Sequence, residues 1–391
     1  MLLSLPKNLD EIEVINPCFS LAHNFARQLS HGNGRRIILD DDFRTVRTRA
    51  IRDAKSLAAS ASEVWITFLA IPSPMIKNTS RRTFVKAAAS GLAASFLEIP
   101  AMNASPLNLP IGLQLYTVGQ EMDTDPAGTL QAVAAAGYTQ VELSPLTKTS
   151  AKDLKKMLDD AGLKNPSGHY ILPDLISTLH EKIGFAHQFG QEFMVVTVPW
   201  VADPSRFKPD PQLGQIGVFI AIIKGLTLDD WKWNAERFNK LGEQINKAGL
   251  QLAYHNHNFE WKSYGGVTGY DEFLRLTDSR LVKLELDCGW ATVAGQDPVA
   301  LLTKYPERYS LLHIKDFRKG FTPRTTLMDK DPGAPVPTEL GRGAIDYGRI
   351  FAAAQKAPIR ALFVEQEPPF TEMPALEAIK VDYEYMKNLK S

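Results

Sequence analysis

From Leu109 to the C-terminus, short apolar and β-branched runs alternate with longer segments of helical period, and they do so eight times. The runs are 111–117, 140–143, 166–170, 193–198, 250–255, 282–287, 309–314 and 361–366. Between them the stretches "AAAGY" (134–138), "DAGLKNP" (160–166) and "NKAGLQL" (246–252) each end a helix at a glycine before the next strand starts. Eight strand and helix units of this kind close most naturally into a (β/α)8 TIM barrel of α/β class, a single domain. An open doubly wound sheet is the structural alternative, but no Gly-x-Gly-x-x-Gly turn follows the first strand.

Two connections break the regular spacing. Residues 200–226 form a Pro- and aromatic-containing link after the fourth strand, and 318–346 form a Gly/Pro-rich insertion after the seventh. Loops of that length are usually functional or disordered. Both leave from strand C-termini, the face where barrel active sites lie, so they are expected to build a lid or a substrate pocket.

Upstream of the barrel, Ser80-Arg81-Arg82-Thr83-Phe84-Val85-Lys86 precedes an Ala-rich apolar run, 87–97, too short to span a bilayer. This resembles a twin-arginine export signal. Such a signal belongs at an N-terminus, and Met75 lies just before it. The expected division is therefore 1–74 as an extension ahead of the true start or a disordered segment, 75–104 as the signal, and 105–391 as the barrel. The expected location is the periplasm or another exported one, with no stable membrane anchor after cleavage. Cys18 falls in the extension, which leaves Cys288 alone and no intramolecular disulfide in the barrel.

The chain of 391 residues is 44% hydrophobic and 23% charged, enough to bury a large core. Lys+Arg and Asp+Glu both count 44, so no charge excess points to nucleic acid or a membrane surface. A small, weakly charged ligand fits better. A homo-oligomer is compatible with the sequence.

If the barrel is right, polar residues at strand C-termini become the candidates for chemistry. Strand six ends in Glu285-Leu286-Asp287-Cys288-Gly289-Trp290, strand seven in His313-Ile314-Lys315-Asp316, and strand eight in Glu365-Gln366-Glu367. Each has a plain structural reading: Asp287 as a helix N-cap, His313 as a satisfied buried histidine, Glu365 as the partner of a barrel lysine. Their coincidence at three successive strand mouths favours a divalent metal. Mixed carboxylate and imidazole donors suit Mn, Zn, Co or Fe, with Mg also allowed, better than Ca. "LAYHNHNFEW" (252–261) at the mouth of strand five adds His255, His257 and Glu260. His257 is read as a proton-transfer base because an unperturbed imidazole titrates near physiological pH. Lys315 shares the face of His313 and would polarise an oxygen or bind a substrate anion. His169 in "SGHY" and Gln114 are placed to contact hydroxyls.

As an ordered set, "IGLQLYTV" (111–118), "YHNHNFEW", "ELDCGW", "LLHIKD", "LGRGAID" (340–346) and "FVEQE" (363–367) resemble the sugar phosphate isomerase/epimerase superfamily, the xylose isomerase-like barrels, from about Leu109 to Leu389. In that superfamily one divalent metal is held by an acid on strand five, an Asp on strand six, a His on strand seven and an acid on strand eight. By position the resemblance implies Asp287, His313 and Glu365 as ligands. The strand-five acid is missing, so His255 or the more distant Glu260 would complete the shell. A His that binds the hydroxyketone normally stands three residues after the Asp. Here Trp290 takes that place and would instead stack on a sugar ring. The resemblance also implies that Glu365 serves as ligand and second base.

The expected activity is metal-dependent isomerisation or epimerisation of an unphosphorylated sugar or keto-sugar through an enediolate. The alternative is a lyase that eliminates water or a glycosyl group from a keto-sugar or keto-glycoside. A non-catalytic sugar-binding protein and an apurinic-site endonuclease are less favoured, the latter because its DNA-facing surface would be basic.

Overall fold

The computed structural model describes residues 35–39, 45–50, 64–67, 106–145, 149–208, 214–327 and 331–389. The chain forms two compact units, Met1–Leu97 and Glu98–Ser391. In the first, Arg35–Leu39, Thr45–Ala50 and Val64–Thr67 pair as an antiparallel sheet. The export signal read at 75–104, and Cys18, lie outside the described residues.

In the second unit eight parallel strands close into a barrel in chain order: β1 (Ile111–Gln114), β2 (Gln140–Leu143), β3 (Lys164–Tyr170), β4 (Phe193–Val196), β5 (Gln251–His255), β6 (Val282–Asp287), β7 (Tyr309–Ile314) and β8 (Ala361–Val364), with β8 pairing back to β1. A helix follows each strand, from Pro126–Ala135 after β1 to Ala375–Asn388 after β8. The three helix-ending glycines, Gly137, Gly162 and Gly249, all adopt positive φ, between 70° and 112°, where a side chain would be strained.

Three strands end earlier than the apolar runs: β4 stops at Val196, and β1 and β8 stop where side chains take over the hydrogen bonding. Gln114 turns its side chain to accept from Tyr116 N at 3.0 Å, which converts 115–118 into a 3-10 turn. Beyond β8, Gln366 N donates to Thr117 Oγ1 at 3.1 Å, so a side chain replaces the ladder there. Both departures lie at the barrel mouth and free side chains for the site.

Alternation along the strands sorts the interior into layers. Phe193, Val195, Ala253, Leu311, Ala361 and Phe363 form an apolar plug, separate from the larger core between strands and helices. Gly112 leaves room for Phe363, whose ring a Cβ there would meet at 2.4 Å. Two residues further along, β5, β7 and β8 place His255, His313 and Glu365 on the same side as the plug. The inward face therefore switches from apolar to polar toward the C-terminal end.

The 318–346 connection is held from below. Asp316 accepts backbone N–H bonds from Phe317, Gly341, Gly343 and Ile345 at 2.9 to 3.2 Å. Asp382, buried on the last helix, accepts from Leu340 N at 2.7 Å. Burial, with the nearby Glu339 charge, pushes the Asp382 carboxyl up to about 7 although the Leu340 bond opposes this. A carboxyl whose pKa is higher folded than unfolded costs stability as pH rises from its unfolded value, near 4, to its folded one, and costs nothing below that window. Asp382→Asn keeps an oxygen for Leu340 N. Urea unfolding of the variant should gain on the wild type between pH 4 and 7, by up to about 4 kcal/mol at about 1.4 kcal/mol per pKa unit. An identical pH slope in both proteins counts against a buried protonated Asp382.

Candidate active site

The polar layer draws on seven of the eight strands: Gln114 from β1, Glu142 from β2, Ser167 and His169 from β3, His255 from β5, Glu285 and Asp287 from β6, His313 from β7 and Glu365 just past β8. Lys315 follows β7. All are buried except His169, whose side chain is 8% exposed. Charged groups at such depth must be paired or bind an ion.

They sort into two tiers that share two imidazoles. In the upper tier His255, Asp287, His313 and Glu365 each offer a donor atom, all within 4.8 Å of one another. His313 Nδ1 lies 3.0 Å from Glu365 Oε2, and His255 Nε2 lies 3.8 Å from Asp287 Oδ2. In the lower tier His169, His255, Glu285 and His313 meet the same limit, with Glu142 beside them.

The upper tier fits a divalent ion. Its two imidazoles and two carboxylates match the borderline metals, and Asp287 Oδ2 is a buried oxygen without a hydrogen bond, although Lys315 Nζ stands 3.2 Å away. Burial raises the Asp287 carboxyl to about 6 even against the charge of Lys315. Burial opposes charge on His313 as well, but Glu285 and Glu142 outweigh it and raise its pKa well above the usual value. Glu365 moves the other way. Despite burial, Lys315 and His313 hold it well below the normal carboxylate range.

Asp287 proves to be helix cap and cluster member at once, since its Oδ1 accepts Trp290 N at 2.7 Å to start helix Cys288–Val293. His255 belongs to both tiers. Glu260 belongs to neither: its Oε1 accepts Tyr254 Oη at 2.7 Å and His257 N at 2.9 Å, its Oε2 is buried without a hydrogen bond, and burial pushes its carboxyl up to about 8. The two were alternatives at the sequence level because they are close along the chain. Glu260 stands past the end of β5, on the 3-10 turn Phe259–Trp261, and its carboxyl feels the charge of Asp287.

His257 differs from the sequence expectation. Burial, with the charge of Lys315 next in weight, lowers its pKa to about 3, so it is neutral and does not titrate near physiological pH. Its Nδ1 has no hydrogen-bond partner, and its ring stacks on Phe259 with Phe219 and Trp290 each 6.0 Å away. The Lys315 ammonium contacts Asp287 at 3.2 Å, Glu365 at 2.9 Å and Glu367, and lies 5.3 Å over the Trp290 ring. Trp290 Nε1 donates to Glu367 Oε1 at 2.9 Å. Gln114 and His169 sit in the lower tier, where Gln114 Nε2 donates to Glu142 at 2.7 Å and His169 Nε2 lies 2.8 Å from the same oxygen.

Among the described residues, sequence reasoning did not assign site roles to Glu142, Ser167, Glu285 or Glu367. The signal for Glu285 was parity, two positions before Asp287. The signal for Glu142 was an acid between Val141 and Leu143 in the short β2 run.

The fold and this donor set define an eight-stranded parallel barrel whose mouth holds a buried cluster of imidazoles and carboxylates. The chain belongs to the xylose isomerase-like TIM barrel family, whose model matches residues 130–389. It is 25% identical over 271 residues to an inosose dehydratase of Lacticaseibacillus casei, covering 64% of this chain and 85% of that protein. A sugar phosphate isomerase/epimerase structure from Parabacteroides distasonis is similar with TM-score 0.54 and 26% identity, over 72% of this chain and 96% of that one. The crystal structure of an IolI protein with a bound zinc atom shares the fold at TM-score 0.51 and 15% identity, over 71% and 96% of the two chains.

Proposed function

We propose that the protein is a divalent-metal-dependent lyase that removes water, or another group on the β carbon, from a keto-cyclitol or keto-sugar. The observation that carries this reading is Glu367. Its side chain is 25% exposed, against 7% for Glu365 and none for Glu142, Glu285 and Asp287, so it is the cluster's acid with access to substrate and solvent. The inosose dehydratase relative supports the same reaction class.

An ion held by His255, Asp287, His313 and Glu365, with zinc as the first candidate from the IolI relative, would supply Lewis-acid polarisation of the ketone oxygen. The remaining steps belong to this chain's side chains. Lys315 Nζ and Trp290 Nε1 both bind Glu367 and aim its carboxylate. That carboxylate takes the proton from the carbon beside the ketone, and the C–H electron pair becomes the new C=C bond. The β carbon–oxygen bond breaks, and its oxygen leaves as water after recovering the proton from Glu367. One carboxylate thus carries one proton from carbon to oxygen and ends as it began. Lys315 is already shared among three acids, so it balances their charge rather than presenting a free N–H to substrate. His257 is neutral with an open nitrogen, which suits a hydroxyl contact, while Trp290 and Phe219 flank the sugar face.

Isomerisation or epimerisation is the second reading, supported by the name of the P. distasonis relative. The metal-loaded full chain should be incubated in deuterated water with keto-cyclitols and 3-keto-sugars and followed by NMR. A product short of one water, formed about 100-fold or more slowly by Glu367→Gln, is the expected result. A product of unchanged mass with deuterium at a shifted position makes the protein an isomerase. Failure of deuterium to enter any substrate removes both readings for that panel.

A further inference from the structure

His255 and His313 each face two ways. Toward the upper tier, His313 presents Nδ1 to Glu365 and His255 presents Nε2 to Asp287. Toward the lower tier, His313 Nε2 lies 2.7 Å from Glu142 Oε2 and 3.2 Å from Glu285 Oε2, and His255 Nδ1 lies 3.0 Å from Glu285 Oε2. An ionised carboxylate only accepts hydrogen bonds, and a neutral imidazole carries a single N–H. With an ion on the nitrogens that face Asp287 and Glu365, the one N–H of each imidazole is left on Nε2 of His313 and Nδ1 of His255, where Glu142 and Glu285 stand to accept it. The lone pairs are left on the two nitrogens that face Asp287 and Glu365, where a cation needs them.

We propose that Glu142 and Glu285 are positioning residues that act through His313 and His255, fixing tautomer and ring orientation for an ion they do not themselves touch. The proposal rests on the reading that an ion sits among His255, Asp287, His313 and Glu365. Glu142 is built for this task. Ser167 Oγ donates to its Oε1 at 2.5 Å and Gln114 Nε2 to its Oε2 at 2.7 Å, so neither oxygen is free to swing. His169 Nε2, 2.8 Å from Glu142 and 3.1 Å from Glu285, ties the two acids together.

The rival arrangement seats the ion in the lower tier itself, among His169, His255, Glu285 and His313. Glu285 Oε1 has no hydrogen-bond partner there, as Asp287 Oδ2 has none above. The two arrangements differ in what they ask of the same nitrogens. Lower-tier seating would spend His313 Nε2 and His255 Nδ1 on the ion, break their bonds to Glu142 and Glu285, and turn the two N–H groups toward Glu365 and Asp287.

The test is calorimetric titration of zinc into the full chain after chelation, with Glu142→Gln, Glu285→Gln and Asp287→Asn compared. The expected result is one ion per wild-type chain, binding weakened about 10- to 100-fold by each glutamine and abolished by Asp287→Asn. The thermal midpoint of ion-free Glu285→Gln should not fall, because burial already raises that carboxyl to about 7, whereas a purely structural role would lower it. Wild-type affinity in Glu285→Gln overturns the proposal, as does loss of the ion in Glu285→Gln with retention in Asp287→Asn, or two ions per wild-type chain. No zinc uptake by the wild type removes the metal reading itself and the proposal with it.

Discussion

Replacing Asp287 with alanine is expected to strip the chain of its ion and to lower turnover about a thousandfold while leaving the barrel folded. The carboxylate has two jobs that can be separated. Through Oδ1 it caps helix Cys288–Val293, and loss of an N-cap of this kind costs about 1 kcal/mol. Through Oδ2 it offers the upper tier a buried oxygen with no hydrogen bond, in a setting where burial already raises its pKa to about 6. Removing a costly buried charge offsets part of the lost cap, so thermal unfolding should shift little. The activity loss is larger because Lewis-acid stabilisation supplies several kcal/mol to a transition state and each 1.4 kcal/mol is tenfold in rate. Asp287→Asn keeps an acceptor for Trp290 N and loses only the charge. Metal analysis of the purified variants should find no stoichiometric ion in either, and dehydration assays should find both inactive to the same degree. An asparagine variant with full metal content would mean that the cap, and not the ligand, is what Asp287 contributes.

How far the site could be read in advance follows from where each residue sits relative to its strand. Asp287 and Glu365 stand where an apolar run stops and His313 one residue before its end, and an acid or imidazole there is conspicuous in one dimension. Glu142 and Glu285 lie inside β2 and β6 and share strands with Leu143 and Leu286, so they look like part of an ordinary strand until the inward parity is fixed by closure. The eight units were legible because each strand and each helix-ending glycine leaves its own mark. Strand ends were less so. Gln114 stops β1 with a local bond from Tyr116 N, but β8 stops at Thr117, a partner that lies 249 residues away in the chain. The downward shift of His257 leaves no mark in the sequence for a similar reason, because burial and the nearby Lys315 charge come from the closed barrel and not from neighbours in the chain.

Lys315→Met is expected to be the most destabilising single change in the site, and its cost should depend on both pH and metal. The ammonium is fully buried and contacts Asp287, Glu365 and Glu367, so removing it leaves three acids facing one another without a counter-charge. Breaking a buried charge arrangement by deleting one partner costs about 3 to 5 kcal/mol. Methionine retains most of the apolar stem, so little of this loss is packing. The sign of the pH dependence follows from Glu365, whose pKa Lys315 and His313 hold below the normal range against the opposing effect of burial. A carboxylate depressed in this way contributes stability above its unfolded pKa and loses it as pH falls through the folded one. Without Lys315 that contribution disappears and ionised acids become a cost, so the gap between variant and wild type should widen from about pH 4 upward. A divalent ion among His255, Asp287, His313 and Glu365 restores positive charge to two of the three acids and should narrow the gap. Urea unfolding at pH 5 and pH 7.5, with chelator and with zinc, checks all four corners: the largest difference belongs to the chelated protein at pH 7.5. Glu367 would still lack its ammonium partner in the zinc-loaded variant, so dehydration should stay at least about 100-fold down even where stability is recovered. Equal stability losses in all four conditions would show that Lys315 is held for its stem and not for its charge.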